Sequence, residues 1–455
     1  MQLPQQLLQK LAGTPGFNQQ AFQQVHDSGE QVTSFRINPL KPVESFPLFK
    51  GLVSPIPWTK YGSYLSRRPS FTFDPLFHAG TYYVQEASSM FLEQALVQSA
   101  DLSRPLKVLD LSAAPGGKST HLQSLISSDS LLVSNEVIRT RANILKDNII
   151  KWGGSNVVVT HNDPADFTRL ENYFDIIVID APCSGSGLFR REPDAINEWS
   201  EQNVKLCAQR QQRILADVYP ALKKDGIIIY STCSYSGEED EEIIDWLTKD
   251  FDLGSIQLAI PDTWNITAVT TPSGTHGYRF WPDKIKGEGF FIAVLKKLSG
   301  GEAPYLKTRK KVAGLTANET ERVGRWMNLD GYELVRHEQT VYAWPSSLSH
   351  ELNFLLQNLR VIYSGVLAGE LKHDKLVPDH ALAMSTLLLP SIPIVELDHD
   401  SAIKYLQRKD FSLEPGGKGW HLITYLNKKL GWANVLSNRM NNYYPKELRI
   451  LKETE

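Results

Sequence analysis

Six short stretches in the middle of the chain are apolar on both faces of an extended backbone: KVLDLS (107–112), LLVSNE (131–136), NVVVT (156–160), DIIVID (175–180), GIIIYST (226–232) and FFIAVL (290–295). Each has the length and the Val/Ile content of a strand, and several of the intervals between them are long enough for a crossover helix. Runs that lack an in/out alternation suit a parallel sheet covered by helices. The pattern therefore predicts a doubly wound α/β unit in the centre of the chain. About 100 residues of mixed pattern precede it, including TSFRINPL and GTYYVQEASSM. After it, KKLSGGEAPYLKTRKK (296–311) reads as a hydrophilic linker or exposed loop. A final unit of roughly 150 residues follows, its last half rich in short strand-like pieces. No internal repeat or low-complexity tract interrupts this plan.

Length and composition agree with that division. A chain of 455 residues exceeds what one core usually organises, and 42% hydrophobic with 22% charged residues is ordinary for a globular protein. No window reaches the roughly 18 to 20 apolar residues of a membrane span, and the N-terminus lacks a basic stretch followed by an apolar one. A cytoplasmic protein without a membrane partner is expected. The three cysteines, Cys183, Cys207 and Cys233, are odd in number and form no C-x-x-C pair, so free thiols are expected rather than disulfides or a zinc site. His78 and His161 have no second histidine at ligand spacing, and no metal is predicted.

Net charge is only −3, which by itself favours no polyanionic partner. The charge is unevenly placed. Residues 401–455 carry ten Lys/Arg against five acids, with aromatics interleaved, which fits either a solvated basic face or a nucleic-acid surface.

Candidate chemistry gathers at the strand ends. DLSAAPGGKST (110–120) is a strand, a tight glycine turn and the start of a helix, a shape that turns backbone N–H groups and a helix dipole toward a ligand. Gly117-Lys118-Ser119 matches the end of the phosphate-binding loop of nucleotide hydrolases, but Ser112 stands in place of its first glycine and Pro115 stiffens it. The other ligand such a loop serves is a nucleoside. Glu136, at the end of the second run, lies at the spacing from which a carboxylate accepts from ribose hydroxyls, and Asp163 comes after the third run, placed to meet an adenine. Cys183 comes after the fourth run in DAPC and Cys233 after the fifth in YSTCS, whereas Cys207 sits in a helical pattern and reads as core.

Two thiols on the ligand-binding edge of one sheet suit covalent attack on an unreactive aromatic ring. Sulfur adding to carbon 6 of a cytosine turns carbon 5 into a nucleophile that can take a methyl group. Asp180 would neutralise the ring by contacting N3, and a second thiol would assist the elimination that releases product. The residues alone do not rank the two sulfurs.

YYVQEASSM (82–90), LDLSAAPGGKSTHL (109–122), SNE (134–136), DAPCSGSGLFRREP (180–193), YSTCS (230–234), GYRFWP (277–282) and GEGFFIA (287–293) together resemble the Nol/Nop/Sun family of RNA cytosine-5 methyltransferases, and within it the bacterial RsmF type. GELK (369–372), PDHALA (378–383) and NRMNNYYPKELR (438–449) resemble the C-terminal extension of that type. The resemblance implies an N-terminal RNA-binding segment over 1–100 and a Rossmann-like class I methyltransferase sheet over 101–298. It further implies a linker and C-terminal region over 299–370 and a PUA-like mixed α/β RNA-binding domain over 371–455. It implies S-adenosylmethionine as cofactor, held by Ala113, Ala114, Pro115, Gly116, Gly117, Lys118, Ser119, Glu136, Arg141 and Asp163, with Asp180 bordering both donor and base. It makes Cys233 the nucleophile and Cys183 the thiol of product release, and it implies a monomer that methylates carbon 5 of a cytidine in 16S ribosomal RNA.

Further expectations attach to individual residues. Arg190, Arg191, Tyr82 and Tyr83 stand in matched motifs and could meet RNA. Arg36 and Asn38 receive no chemical role. The family often shows Glu-Asn-Glu where this chain has EEDEE (238–242), and as an acidic first helical turn that run predicts little functional consequence. Deleting residues after about Gly300 should weaken RNA binding and leave donor binding intact.

Overall fold

A small antiparallel sheet opens the chain. Strands β1 (Thr33–Ile37), β2 (Val53–Pro55), β3 (Gly62–Leu65) and β4 (Tyr82–Val84) lie in the order β2-β3-β1-β4. Alternation along β1 sends Phe35 into a cluster with Phe49, Phe71, Leu76 and Tyr82, and sends Arg36 to the other side, toward the next unit. This is the computed structural model, which describes every residue except 1, 302–312, 374, 412–416, 437, 438, 454 and 455. Most of the stretch read as a linker falls on residues outside that description.

The apolar runs build the central sheet. β5 (Lys107–Asp110), β6 (Leu131–Asn135), β7 (Val157–Thr160), β8 (Phe174–Asp180) and β9 (Leu222–Thr232) pair in parallel, in the order β9-β8-β5-β6-β7. Val108, Leu109, Leu132, Val133, Val158, Ile177 and Ile228 are fully buried, each worth about 1.5–3 kcal/mol over exposure. That two-sided burial is why these runs show no alternation. Beyond β9 the sheet turns antiparallel. β10 (Leu253–Ser255) and β12 (His276–Phe280) pair with β13 (Phe290–Lys297), β11 (Thr267–Thr270) pairs with β12, and β13 runs against β9. The run FFIAVL is therefore antiparallel: it comes after hairpins rather than a crossover helix.

The C-terminal part is built around β14 (Tyr332–His337), β15 (Thr340–Pro345), β16 (Val361–Ser364), β17 (Val366–Lys372) and β18 (Lys375–Pro378). Four of these form their own sheet, β14-β15-β17-β18, but β16 joins the central sheet antiparallel to β7. The helix Ser349–Asn358 before it packs Leu352, Phe354 and Leu355 into the same core as Phe167, Leu170 and Tyr173. The last sheet, β19 (Ile394–Glu396), β20 (Gly419–Tyr425), β21 (Lys428–Val435) and β22 (Met440–Asn442), ends the fold. The segments that flank its strands meet the N-terminal part: His399, on the helix after β19, reaches Phe73 O, and Tyr444, just past β22, reaches His78.

Candidate active site

The C-terminal ends of β5 to β9 carry the site. β5 ends at Asp110, and Leu111–Gly116 lead into the helix Gly117–Leu125. Gly116 has φ 116°, a backbone state that favours glycine, and it lies against Leu145 and Asn148 of the next helix. Side chains hold this loop from behind. Asn148 Nδ2 donates to Pro115 O at 2.8 Å, and Arg141 Nη2 donates to Ala114 O at 2.8 Å. Ser119 Oγ bonds Asp110 Oδ2 at 2.7 Å and Ser134 Oγ at 2.8 Å. Asp110 is fully buried with Oδ1 unpartnered, and burial pushes its carboxyl up to about 7.

Two acids flank the loop at neighbouring strand ends. Glu136 comes after β6 and is buried; Oε1 accepts from Ile138 N at 2.9 Å, whereas Oε2 has no hydrogen-bond partner, Arg141 Nη1 standing 3.5 Å away. Asp163 comes after β7, accepts from Ala165 N at 3.1 Å and remains half-exposed. A buried carboxylate oxygen with no partner is costly unless a ligand donates to it. The loop, the positive helix end and these two acids therefore fit a nucleoside bearing a charged group.

The second cluster lies at the ends of β8 and β9. Asp180 closes β8; its Oδ2 is 2.7 Å from Lys118 Nζ and its Oδ1 accepts from Ser231 Oγ at 3.1 Å. Lys118 thus turns to a carboxylate, away from the role a phosphate-binding lysine would need. Cys183 Sγ and Cys233 Sγ are 2.9 Å apart, both partly exposed. The hydrogen bond to Cys233 and then burial push the Cys183 thiol well up, so it is held protonated beside its neighbour. Cys207 is buried on the helix Glu201–Val218, as core.

Behind the sulfurs stands a residue to which the sequence pattern assigns no role. Glu239 is fully buried, and it ties both cysteine turns together. Its Oε1 accepts from Ser184 N at 2.7 Å; its Oε2 accepts from Ser184 Oγ at 2.5 Å and Ser234 Oγ at 2.6 Å. Burial raises its carboxyl above the usual range. Next to it, Asp240 is buried against Arg279 and accepts from Thr232 Oγ1 at 2.5 Å. The helix begins only at Glu241. Glu241 and Glu242 do form the acidic first turn, but Glu239 and Asp240 precede the helix as buried internal fasteners, so a solvated turn describes only part of EEDEE. The legible signal was that each cysteine is followed by serine, a matched pair that one acceptor can join.

Other expectations divide. Arg190 is buried, donating to Gly287 O at 3.1 Å and Glu30 O at 2.6 Å, and Tyr82 is buried on Asp74, so these two are structural rather than RNA-facing. Arg191 is exposed, and Tyr83 lies beside Gly117. Arg36 is fully buried; its guanidinium donates to Gln85 Oε1, Gly117 O and Thr120 Oγ1 and stacks 4.6 Å over Trp152. Asn38 Nδ2 donates to Gly80 O and Trp152 O. The N-terminal sheet thus clamps the helix into which the loop leads. Among the described residues no group of three or more His, Cys, Asp or Glu could hold a metal ion, and no helix is long and apolar enough to cross a membrane.

The chain is similar in sequence and fold to known proteins. Residues 99–296 match the family described as 16S rRNA methyltransferase RsmB/F. Residues 3–87 match the N-terminal domain of 16S rRNA methyltransferase RsmF, 319–386 the RsmF rRNA methyltransferase first C-terminal domain, and 393–450 the methyltransferase RsmF PUA domain. Ribosomal RNA small subunit methyltransferase F of Shewanella woodyi is 30% identical over 442 residues, covering 91% of this chain and 90% of that one. Its counterpart in Pectobacterium atrosepticum is 29% identical over 440 residues, covering 91% and 89%. Among solved structures, a methyltransferase homolog protein from Pyrococcus horikoshii is 30% identical with a TM-score of 0.51, over 65% of this chain and 100% of that one. NSun6 from Pyrococcus horikoshii, solved with SFG, shares the fold at 18% identity and a TM-score of 0.54, over 65% and 99%.

Proposed function

Because the chain belongs to the RsmF branch of the 16S rRNA methyltransferase RsmB/F family, S-adenosylmethionine-dependent enzymes, we propose that it methylates carbon 5 of a cytidine in small-subunit ribosomal RNA through a transient bond between Cys233 and carbon 6. The donor fits Ala113 to Ser119 and the acids at the next two strand ends, with the unpartnered oxygen of Glu136 suited to ribose hydroxyls. When bound, S-adenosylmethionine supplies an electrophilic methyl group. Everything else falls to residues of the chain.

The pair of sulfurs 2.9 Å apart carries the reading. With Cys183 held as the thiol, its S–H donates to the sulfur of Cys233, which leaves Cys233 as the nucleophile of the pair. As the thiolate, Cys233 adds to carbon 6 of a cytosine turned out of any stack. As the ring gains electrons, N3 takes a proton passed from Lys118 through Asp180, so no bare anion forms. Carbon 5 takes the methyl group. Once Cys233 is bound to carbon, the neighbouring sulfur no longer raises Cys183, which can ionise and take the carbon 5 proton. The freed electron pair restores the ring double bond and expels Cys233 as thiolate, and the N3 proton returns to the Asp180–Lys118 pair.

The test is methyl transfer to ribosomal RNA by single-cysteine variants, with bisulfite mapping of the product. Cys233→Ala should abolish transfer and keep donor binding. Cys183→Ala should accumulate protein linked to RNA, visible as a denaturation-resistant band. Full turnover by Cys233→Ala would remove the covalent step, and an unlinked Cys183→Ala protein with normal turnover would remove the release role.

A further inference from the structure

Resting on the donor assignment above, we infer that the C-terminal unit supplies one wall of the methyl-donor site, with the turn 357–360 closing the purine end of that site beside Asp163. The observation begins with β16. This strand is contributed from far along the chain, yet it is the outer neighbour of β7, the strand whose end presents Asp163. His161 N donates to Arg360 O at 3.0 Å, and Arg360 N donates to Asn162 Oδ1 at 3.0 Å. Arg169, which pairs with Asp166, also donates to Asn358 O at 3.1 Å.

From Asn162 the hydrogen bonds continue inward to the donor loop. Asn135 Oδ1 accepts from Asn162 N at 3.0 Å, and Asn135 Nδ2 donates to Asn162 O at 3.0 Å and to Leu111 O at 3.1 Å. Ala113 N donates to Asn135 O at 2.8 Å. One continuous chain of bonds thus joins the C-terminal unit to the first residue of the proposed donor loop. The same end of the sheet holds a cleft of about 640 Å³ whose lining includes Val137, directly after Glu136, and Asp163 on one side, and Gln357, Asn358 and Arg360 on the other.

A purine ring needs an apolar flank and polar groups at its edge. Val137 is exposed and lines this cleft, offering the flank, while Asp163 and the side chain of Arg360 offer the edge, beside Gln357, whose Nε2 donates to Asn353 O at 2.9 Å. The expectation that deletion after about Gly300 leaves donor binding intact does not fit this arrangement. Such a cut would strip β16 from β7 and expose Phe354 and Leu355 contacts of the central core.

The experiment uses the full chain and calorimetric titration with S-adenosylhomocysteine and, separately, adenosine. The variant Gln357→Ala/Arg360→Ala alters two exposed side chains and keeps the backbone bonds; Asn162→Ala removes the acceptor of the Arg360 N–H. Both should weaken both ligands about tenfold or more, the equivalent of losing one or two edge hydrogen bonds, while Arg325→Ala, remote on the same unit, binds as wild type. Circular dichroism and melting temperature verify folding of each variant. Affinities of both folded variants within about twofold of wild type would overturn the inference. A wild-type protein that binds neither ligand would instead overturn the donor assignment on which it rests.

Discussion

Glu239 is the residue by which the geometry of the two thiols can be tested without touching either. Replacing it with alanine removes the acceptor of Ser184 N and of two serine hydroxyls in a fully buried place. Each buried group left unpaired costs about 1–3 kcal/mol. The hydroxyls of Ser184 and Ser234 are 3.4 Å apart and can turn to each other, but the Ser184 N–H has no substitute. A loss of roughly 2–5 kcal/mol results, including the void. Ser184 and Ser234 directly follow the two cysteines, so the sulfurs shift with them, and a displacement near 1 Å costs about 100-fold in rate. Glu239→Gln behaves differently. Its amide oxygen can keep the Ser184 N–H while its NH₂ donates to the serine oxygens, so the loss should stay near about 1 kcal/mol. The charge beside Cys183 disappears as well, so the thiol should ionise at lower pH.

The assay combines urea unfolding, single-turnover methyl transfer and the pH dependence of alkylation of the active-site thiols. Glu239→Ala should slow both adduct formation and release, with donor affinity unchanged; Glu239→Gln should restore most of the rate and move the alkylation profile to lower pH. A folded Glu239→Ala protein with wild-type single-turnover rate would refute a positioning role. So would a Glu239→Gln profile that does not move.

Lys118→Gln removes the proton donor behind Asp180 and should lower the methyl-transfer rate about 100-fold; because the Lys118 side chain is turned to Asp180 and only its backbone belongs to the donor loop, calorimetry should show near-normal donor binding; an unchanged rate would exclude the relay. Arg36→Ala takes from Gln85 Oε1 its buried donor and empties the space over Trp152, and should cost about 2–4 kcal/mol in urea unfolding; Arg36→Lys should recover little because a single ammonium cannot span Gln85 Oε1, Gly117 O and Thr120 Oγ1 together. His26 and His121 are buried and pushed by burial down to about 4. The unfolded imidazole protonates near pH 6.5 and the folded one only near 4, so stability is full above 6.5 and falls as pH drops through that window. His26, whose ring bonds only the Phe22 carbonyl among the described residues, is the cleaner test: His26→Gln should flatten the pH dependence of unfolding by about 2 kcal/mol between about pH 7 and pH 5, and an equal slope in the variant would contradict the assignment.

The sequence by itself determined local features. Runs such as VVVT and IIVID declare two-sided burial because nothing polar interrupts them, and a parallel sheet places the residues just beyond each run on one edge. That geometry was enough to gather the 113–119 loop, Glu136, Asp163, Asp180 and both cysteines, since each lies within a few residues of a strand end. Only the tertiary structure decided the rest, because it depends on partners distant in the chain. An acidic run reads as a solvated helical turn until Ser184 and Ser234 are brought to Glu239. Arg36 reads as an ordinary strand residue until β1 is laid against the helix Gly117–Leu125, where its guanidinium must find carbonyl oxygens or stay unpaired in the interior. β16 reads as one more short strand of a later unit, and nothing local says that β7 lacks a neighbour. An open sheet edge takes whichever strand satisfies its N–H and C=O groups, and that choice is made by the whole fold.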